Sequence, residues 1–310
     1  MAELVAYLNG AWVPASQAAI PVTDAGFMQG VTVAEQLRTF NGKLFELPRH
    51  LARLSRSLEI IGVELPISID ELATRAQELA DRNHALLQPG DDLGLSMFVT
   101  PGTYPTFIAS SPAARTSSPA SFLGMHTYPL PFASWAHKYE QGETLVVTHI
   151  RQVPTDCWPA ELKCRSRMHY YLADRAARRQ QPGARAVMLD HRGFVTEAST
   201  ANLLIYRGSE GIVSPPRESI LPGVSVAVLI ELARELNIPW SERDLTIADC
   251  QTADEILLCS TSPCVWPVTH FAAKTISNGI AGPIAKQLLA AFSQRAGVDI
   301  GAQAKQFSER

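Results

Sequence analysis

The chain has 310 residues, 46% hydrophobic and 18% charged, which excludes a mini-scaffold and the weakly hydrophobic, highly charged make-up of disordered chains. A formal net charge of -3 offers no bulk attraction for phosphate polymers or anionic bilayers, so neither nucleic acid nor a membrane surface is an expected partner. The five cysteines, Cys157, Cys164, Cys250, Cys259 and Cys264, are an odd set without a CxxC pair and read as reduced thiols, not as a disulfide framework or a zinc knuckle.

The opening stretch MAELVAYLNGAWVPAS carries Glu3 and no basic-then-apolar run, and nowhere do 18 apolar residues follow one another. Neither a signal peptide nor a membrane span is expected, and the cytoplasm is the default compartment. Asn9-Gly10 and Asn41-Gly42, each between β-prone runs, predict hairpins. Over 49–62, Leu51, Leu54, Leu58 and Ile61 recur at helical spacing while Arg49, Arg53 and Arg56 lie off that stripe, predicting an amphipathic helix. The capping-box pattern from Ser68 to Glu71 predicts a second helix running to about Leu87, before Pro89-Gly90. LGLSMFVT then reads as a buried strand. Residues 109–135 hold Pro112, Pro119, Pro129 and Pro131 with one strand near SFLGMHTYPL, and supply the candidate inter-domain connection. The expected division is a small domain over 1–127, a connecting loop over 128–138 and a larger domain over 139–310. In the latter, a strand (ETLVVTHI), a helix from about Lys163 to Gln180, a hairpin (AVMLD-HRG-FVTEAS) and a strand (ANLLIY) are expected. A helix over 225–237, a strand (EILLCST) and a helix over 281–295 follow. Strands and helices do not alternate as in a doubly wound sheet, so the class is α+β.

Six lysines stand against 21 arginines, so each lysine can be weighed. Lys43, Lys138, Lys274, Lys286 and Lys305 read as solvated amines. Lys163 opens a predicted helix, where the positive end of the dipole disfavours an ammonium. A depressed amine can attack a carbonyl and form a Schiff base; the alternative is an ordinary surface lysine. Leu221-Pro-Gly-Val-Ser225 precedes an apolar helix, placing the amides of Val224 and Ser225 and the Ser225 hydroxyl where a phosphate can bind, or where a helix is simply capped. The GVSVA run fails as a nucleophile elbow because Ala227 stands where a glycine is needed. Arg53 is either a phosphate clamp or a solvated helix residue, and Glu197 either a partner for a protonated ring nitrogen or an edge-strand charge.

A phosphate clamp, a Schiff-base lysine and a carboxylate for a pyridinium nitrogen are together what pyridoxal 5′-phosphate requires. Six stretches, DAGFMQGVTVAEQLRTFNGKLF (24–45), HLARLSRS (50–57), LKCRSRMHYYLA (162–173), TEASTANLLI (196–205), LPGVS (221–225) and CSTSPCVWPV (259–268), come in the order of a known family. Over nearly its whole length the chain resembles the class IV, fold-type IV pyridoxal-phosphate aminotransferases. That group holds branched-chain and D-amino acid aminotransferases, (R)-amine transaminases and aminodeoxychorismate lyases.

The resemblance implies a two-domain fold with a smaller N-terminal α/β sandwich and a larger C-terminal pseudo-barrel. It implies that Lys163 holds the cofactor as a Schiff base and shuttles a proton between substrate and cofactor carbons. Arg53 would bind the cofactor phosphate and Glu197 the pyridinium. Thr200 would lie near the ring, and Val224, Ser225 and Thr261 would complete the phosphate cup. The implied reaction moves an amino group between an amino acid or amine and a 2-oxo acid; the alternative is lyase-type β-elimination releasing pyruvate. A homodimer is implied as well. The chain departs from the better-known subfamilies at the substrate side. VTPGTYPTFI offers Thr106 and Ile108 where D-amino acid enzymes place an arginine and a histidine. Asp92 and Gly94 replace the tyrosine and arginine of branched-chain enzymes, and Met168 replaces their tyrosine five residues after the lysine. Arg38 is the slightly favoured anchor for a substrate carboxylate. Arg165 and Arg167 are the others, unless they belong with Arg175, Arg178 and Arg179 to a solvated basic face.

Overall fold

The computed structural model describes residues 3–107 and 120–309; Ile108, Pro112 and Pro119 lie outside them. The chain forms two compact units, Met1–Leu130 with Leu162–Ser166, and Pro131–Glu161 with Arg167–Arg310. Lys163, expected within the stretch 139–310, thus groups with the first unit.

In the first unit β1 (Val5–Leu8) and β2 (Ala11–Pro14) form the first predicted hairpin. A short helix, α1 (Ala25–Met28), precedes β3 (Val33–Phe40), which turns into β4 (Lys43–Leu44). At both turns Asn and Gly sit at positive φ, 44° and 89° for Asn9-Gly10 and 51° and 77° for Asn41-Gly42. Those angles are what a two-residue turn matching strand twist demands. Helices α2 (Leu47–Ile61) and α3 (Ile69–His84) follow, then β5 (Leu93–Thr100) and β6 (Phe122–Pro129). Gly62, left-handed at φ 67°, ends α2, and the Ser68 hydroxyl caps α3 by accepting the Glu71 amide.

The sheet runs β2-β1-β6-β5-β3-β4. Val33 and Leu37 of β3, Leu93 to Val99 at alternate positions of β5, and Leu123 and Met125 of β6 bury one face beneath the Leu51, Leu54 and Leu58 stripe of α2 and Leu72, Ala76 and Leu79 of α3. The period of two in the strands and the helical stripe meet in one core. SFLGMHTYPL, expected within a connection, is therefore a central strand of this sheet.

The second unit begins with a 3-10 turn at Phe132–Ser134, α4 (Lys138–Gln141) and β7 (Glu143–Arg151). Next come α5 (Met168–Gln180), β8 (Arg185–Leu189), β9 (Val195–Ala198), β10 (Ala201–Arg207) and β11 (Gly211–Ser214). They are followed by α6 (Val224–Glu235), β12 (Trp240–Glu242), α7 (Ile247–Gln251), β13 (Glu255–Ser260) and β14 (Cys264–Phe271). The chain then passes through β15 (Lys274–Thr275), α8 (Pro283–Ala296) and α9 (Ile300–Gln306). Strand order is β12-β11-β10-β13-β14-β7-β8-β9, and β9 also pairs β10. The ring β10-β13-β14-β7-β8-β9 thereby closes on itself, which removes its edges and gives the pseudo-barrel. The fold is α+β in two units. Among the described residues no helix is long and apolar enough to cross a membrane.

Candidate active site

Lys163 does not open a helix. Helix α5 starts at Met168, five residues later, because the backbone around Lys163 is committed to β3. The Ala34 amide donates to the Lys163 carbonyl at 3.0 Å and the Arg165 amide to Thr32 at 2.8 Å, flanking a Val33–Cys164 bridge. The Ser166 hydroxyl donates to Gly30 at 2.7 Å, and on the other side the Lys163 amide donates to the Ser57 hydroxyl of α2 at 3.2 Å. The helix-dipole argument for this amine therefore does not hold. What distinguishes Lys163 is burial, with only 8% of its surface exposed, in a segment tied down at several points.

Close by in the same unit is a buried charged cluster, of which only Arg53 stands out from sequence. Glu35 on β3 is fully buried. The Arg53 guanidinium embraces its carboxylate through Nε at 2.7 Å and Nη2 at 2.8 Å, and His50 Nδ1 lies 2.7 Å from Oε2. His50 and Arg53 stand three residues apart on α2, so both reach the same point. Burial alone raises the Glu35 carboxyl, but the Arg53 charge and hydrogen bonds, with the bond from His50, bring it down to about 2. His50 is lowered, chiefly by burial and against the pull of Glu35, with Arg53 and Lys163 adding to the depression.

Both shifts act in the same direction with pH. Each group is protonated in the unfolded chain over a range where the native state resists the proton, so stability falls with acidification. The midpoint of denaturant unfolding is expected to decline as pH drops below about 6.5 through His50, and again between about 4.5 and 2 through Glu35. The Glu35 part amounts to roughly 3 kcal/mol. Glu35→Gln should flatten the lower segment; wild-type and variant profiles that stay parallel from about pH 5 to about pH 2 would overturn this assignment.

In the second unit, Glu197 on β9 is buried. Its Oε1 accepts Gln152 Nε2 at 2.8 Å and the Tyr170 hydroxyl of α5. Its Oε2 faces the Leu221 amide at 3.4 Å and Asn202 Nδ2 at 3.5 Å. Burial first, and then the Glu197 charge, push the Tyr170 phenol well up, so it stays a donor. Asn202 Nδ2 also donates to the Leu221 carbonyl at 2.9 Å, tying the carboxylate to the LPGVS turn. Gly223, the N-cap of α6, is required there: a Cβ would stand 2.2 Å from Asn202 Oδ1. Val224 and Ser225 occupy the first turn of α6, where amides lack intrahelical acceptors.

Strand register extends this group. Glu197 pairs Asn202, which pairs Cys259. The β9–β10 turn at Ser199-Thr200, with Thr200 at φ 63°, and the turn that begins at Thr261 after β13 therefore lie at one end of the barrel. The second unit thus gathers Glu197, Thr200, Val224, Ser225 and Thr261, while the first gathers Lys163 and Arg53. Sequence reasoning missed Glu35, His50, Ser57, Gln152, Tyr170 and Asn202. Glu35, His50, Ser57, Tyr170 and Asn202 lie inside the stretches that carry the resemblance, so only their roles went unread; Gln152 lies outside them.

The residues expected on the substrate side separate. Arg38 is fully buried, its Nε donating to the Thr39 carbonyl at 3.3 Å and its guanidinium stacked 4.1 Å from the Phe40 ring centroid. Arg165 lines a groove on the first sheet. Thr106 is exposed in the 3-10 turn Pro105–Phe107. Asp92 is structural: its carboxylate accepts the Thr39 hydroxyl at 2.5 Å and the Asn41 and Gly42 amides at 3.2 and 3.1 Å, fixing the second hairpin turn.

The fold of these two units is shared by solved aminotransferases. The structure of Escherichia coli branched-chain amino acid aminotransferase matches with a TM-score of 0.85 at 22% identity, covering 94% of each chain. That of the T.th. branched-chain amino acid aminotransferase with pyridoxamine 5′-phosphate matches at 0.81 and 21%, covering 96% of this chain and 95% of that one. In sequence the chain is 28% identical over 297 residues to D-alanine aminotransferase of Staphylococcus aureus (strain N315), covering 93% of this chain and 96% of that protein. It is likewise 28% identical over 284 residues to D-alanine aminotransferase of Bacillus licheniformis, covering 92% and 94%. Residues 32–271 match the family Amino-transferase class IV. The chain belongs to that family and is an aminotransferase. None of these relatives lends support to the eliminating lyase alternative.

Proposed function

We propose that the chain binds pyridoxal 5′-phosphate through Lys163 and uses it to exchange an amino group between an amino donor and a 2-oxo acid. The observation that carries this reading is the coupling, through Asn202 and Leu221, of a buried carboxylate to the first turn of α6. One place then offers an acid for a protonated ring nitrogen and first-turn amides, which have no intrahelical acceptor, for a phosphate. The donor set fits the cofactor: Glu197 is held by a hydroxyl and amides, Arg53 is a guanidinium already oriented by Glu35, and Lys163 is a buried amine.

In this reading Arg53, the Val224 and Ser225 amides, the Ser225 hydroxyl and Thr261 hold the phosphate, and Thr200 borders the ring. Glu197 keeps the ring nitrogen protonated, itself fixed by Tyr170, Gln152 and Asn202. When bound, the cofactor supplies the electron sink for charge developing at the carbon that loses its proton. Lys163 Nζ would be the group that takes up that proton and gives it back to a neighbouring carbon.

The working form we propose is a homodimer, supported by large apolar side chains left exposed at Val22 and Phe27 in the first unit and Met168 in the second. The cytoplasm is proposed as the compartment, since the five cysteines are thiols, as a reducing environment keeps them. The test is a half-reaction screen on the purified holoenzyme, with its mass read by sedimentation. Amino donors should convert the near-visible band to the amine form of the cofactor and a 2-oxo acid should restore it, in a particle of twice the chain mass. A protein that never takes up the cofactor would overturn the reading.

A further inference from the structure

The face of the first sheet that turns away from α2 and α3 carries a groove of ≈ 470 Å³, lined in part by Gln36, Ser96, Phe98, His126, Tyr128 and Arg165. Alternation along the strands accounts for its make-up. Leu37, Leu95, Met97 and Met125 face the core, so their neighbours Gln36, Ser96 and His126 point the other way. Those three form one cross-strand row, Gln36 opposite Ser96 and Ser96 opposite His126.

Two glycines shape the walls. Tyr128 lies over Gly94, where a Cβ would come within 2.2 Å of its ring, and Phe98 lies over Gly124, where a Cβ would come within 2.3 Å. Both rings are thus laid flat on either side of the row, which stays open as a polar floor between apolar walls. Such a mixture of apolar walls and few convergent polar groups is characteristic of small-molecule sites.

The cation arrives from the segment that carries Lys163. Arg165 Nη2 donates to the Ser96 hydroxyl at 2.7 Å, which aims the guanidinium over the floor. The bridge at Cys164 is flanked by regular ladder bonds, so Lys163 and Arg165 leave the strand on the same side, about 7 Å apart along the chain. A carboxylate borne on, or close to, the carbon that Lys163 serves is within reach of that guanidinium, whose planar fork suits a carboxylate.

We infer that Arg165, aimed by Ser96, anchors the substrate carboxylate in this groove, so that the chain selects carboxylate-bearing donors and acceptors over simple amines. Arg165 is the specificity-determining residue and Ser96 a positioning residue. The inference rests on the transfer reading above, and its test separates the two. Binding of 3-phenylpropionate to the holoenzyme is followed by calorimetry. The half-reactions of both phenylalanine enantiomers and of 2-phenylethylamine, which lacks only the carboxylate, are followed at the cofactor band.

Wild type should bind the acid and prefer an amino acid over the amine. Arg165→Gln should weaken the acid, and reduce the amino acid to amine preference, by about 10- to 100-fold. Arg165→Lys should recover part of the loss, and Ser96→Ala should fall between. Should Arg165→Gln fail to fold, Ser96→Ala and Arg165→Lys carry the same ratio. Acid affinity and preference ratio unchanged across the variants, or a wild type that converts the amine as readily as the amino acids, would overturn the inference and leave amino transfer standing. Arg165-dependent acid binding with no conversion by any donor would uphold the carboxylate site and remove the transfer reading.

Discussion

Lys163→Ala is expected to reduce amino transfer by at least about 10^4-fold, because one nitrogen serves both as the attachment point and as the proton carrier. The backbone of the segment should stay in place, since the main-chain bonds of residues 163 and 165 and that of the Ser166 hydroxyl do not involve the Lys163 side chain. The thermal midpoint should therefore move by no more than a few degrees, and cofactor added to the variant should lack the near-visible band. Borohydride treatment of wild type should attach the pyridoxyl group to a peptide containing residue 163. Attachment elsewhere, or a variant within tenfold of wild-type turnover, would refute the assignment.

Arg53→Ala should produce the second large effect, in two separable parts. Loss of the guanidinium leaves Glu35 and His50 in a buried site without the strongest partner of the carboxylate. Breaking such a pair costs about 3–5 kcal/mol. The same change should weaken pyridoxal 5′-phosphate by about 100-fold or more while scarcely affecting pyridoxal, which lacks the phosphate. The ratio of the two affinities isolates the phosphate contact from the folding defect. Pairing the change with Glu35→Gln removes the stranded charge and should restore much of the stability but not the ratio. A phosphate-to-alcohol ratio equal to that of wild type in Arg53→Ala would show that this arginine only braces the fold.

Local chemistry made part of this protein legible in its sequence. Asn-Gly turns, the α2 stripe and the Ser68 cap act over a few residues, and all appear where the spacing put them. The misplaced start of α5 has a different cause. Residues 163–166 look helical in isolation, but their main-chain and hydroxyl groups bond to Thr32, Ala34 and Gly30, distant in the chain, and nothing local signals that pairing. Distance in sequence also hid the burial partners. Glu35 looks like a strand charge until α2 folds against it, and Gln152 and Tyr170 come to Glu197 from separate elements. Among the candidate anchors, Arg38 and Arg165 are indistinguishable as letters; only the full burial of Arg38 and its stacking on Phe40 separate them.

The excursion of residues 162–166 back into the first unit also bears on how the protein is made. A ribosome that has released the first 130 residues has supplied a sheet whose β3 still lacks its last edge. That edge emerges only after some thirty further residues, which belong to the other unit, have left the exit tunnel. Neither half is thus a cassette that can be excised or swapped by cutting near position 130, and shuffled chimeras need a seam on each side of the returning stretch. Maturation of the amine at position 163 is in this sense a late event of vectorial synthesis, coupled to the start of the second unit rather than to completion of the first.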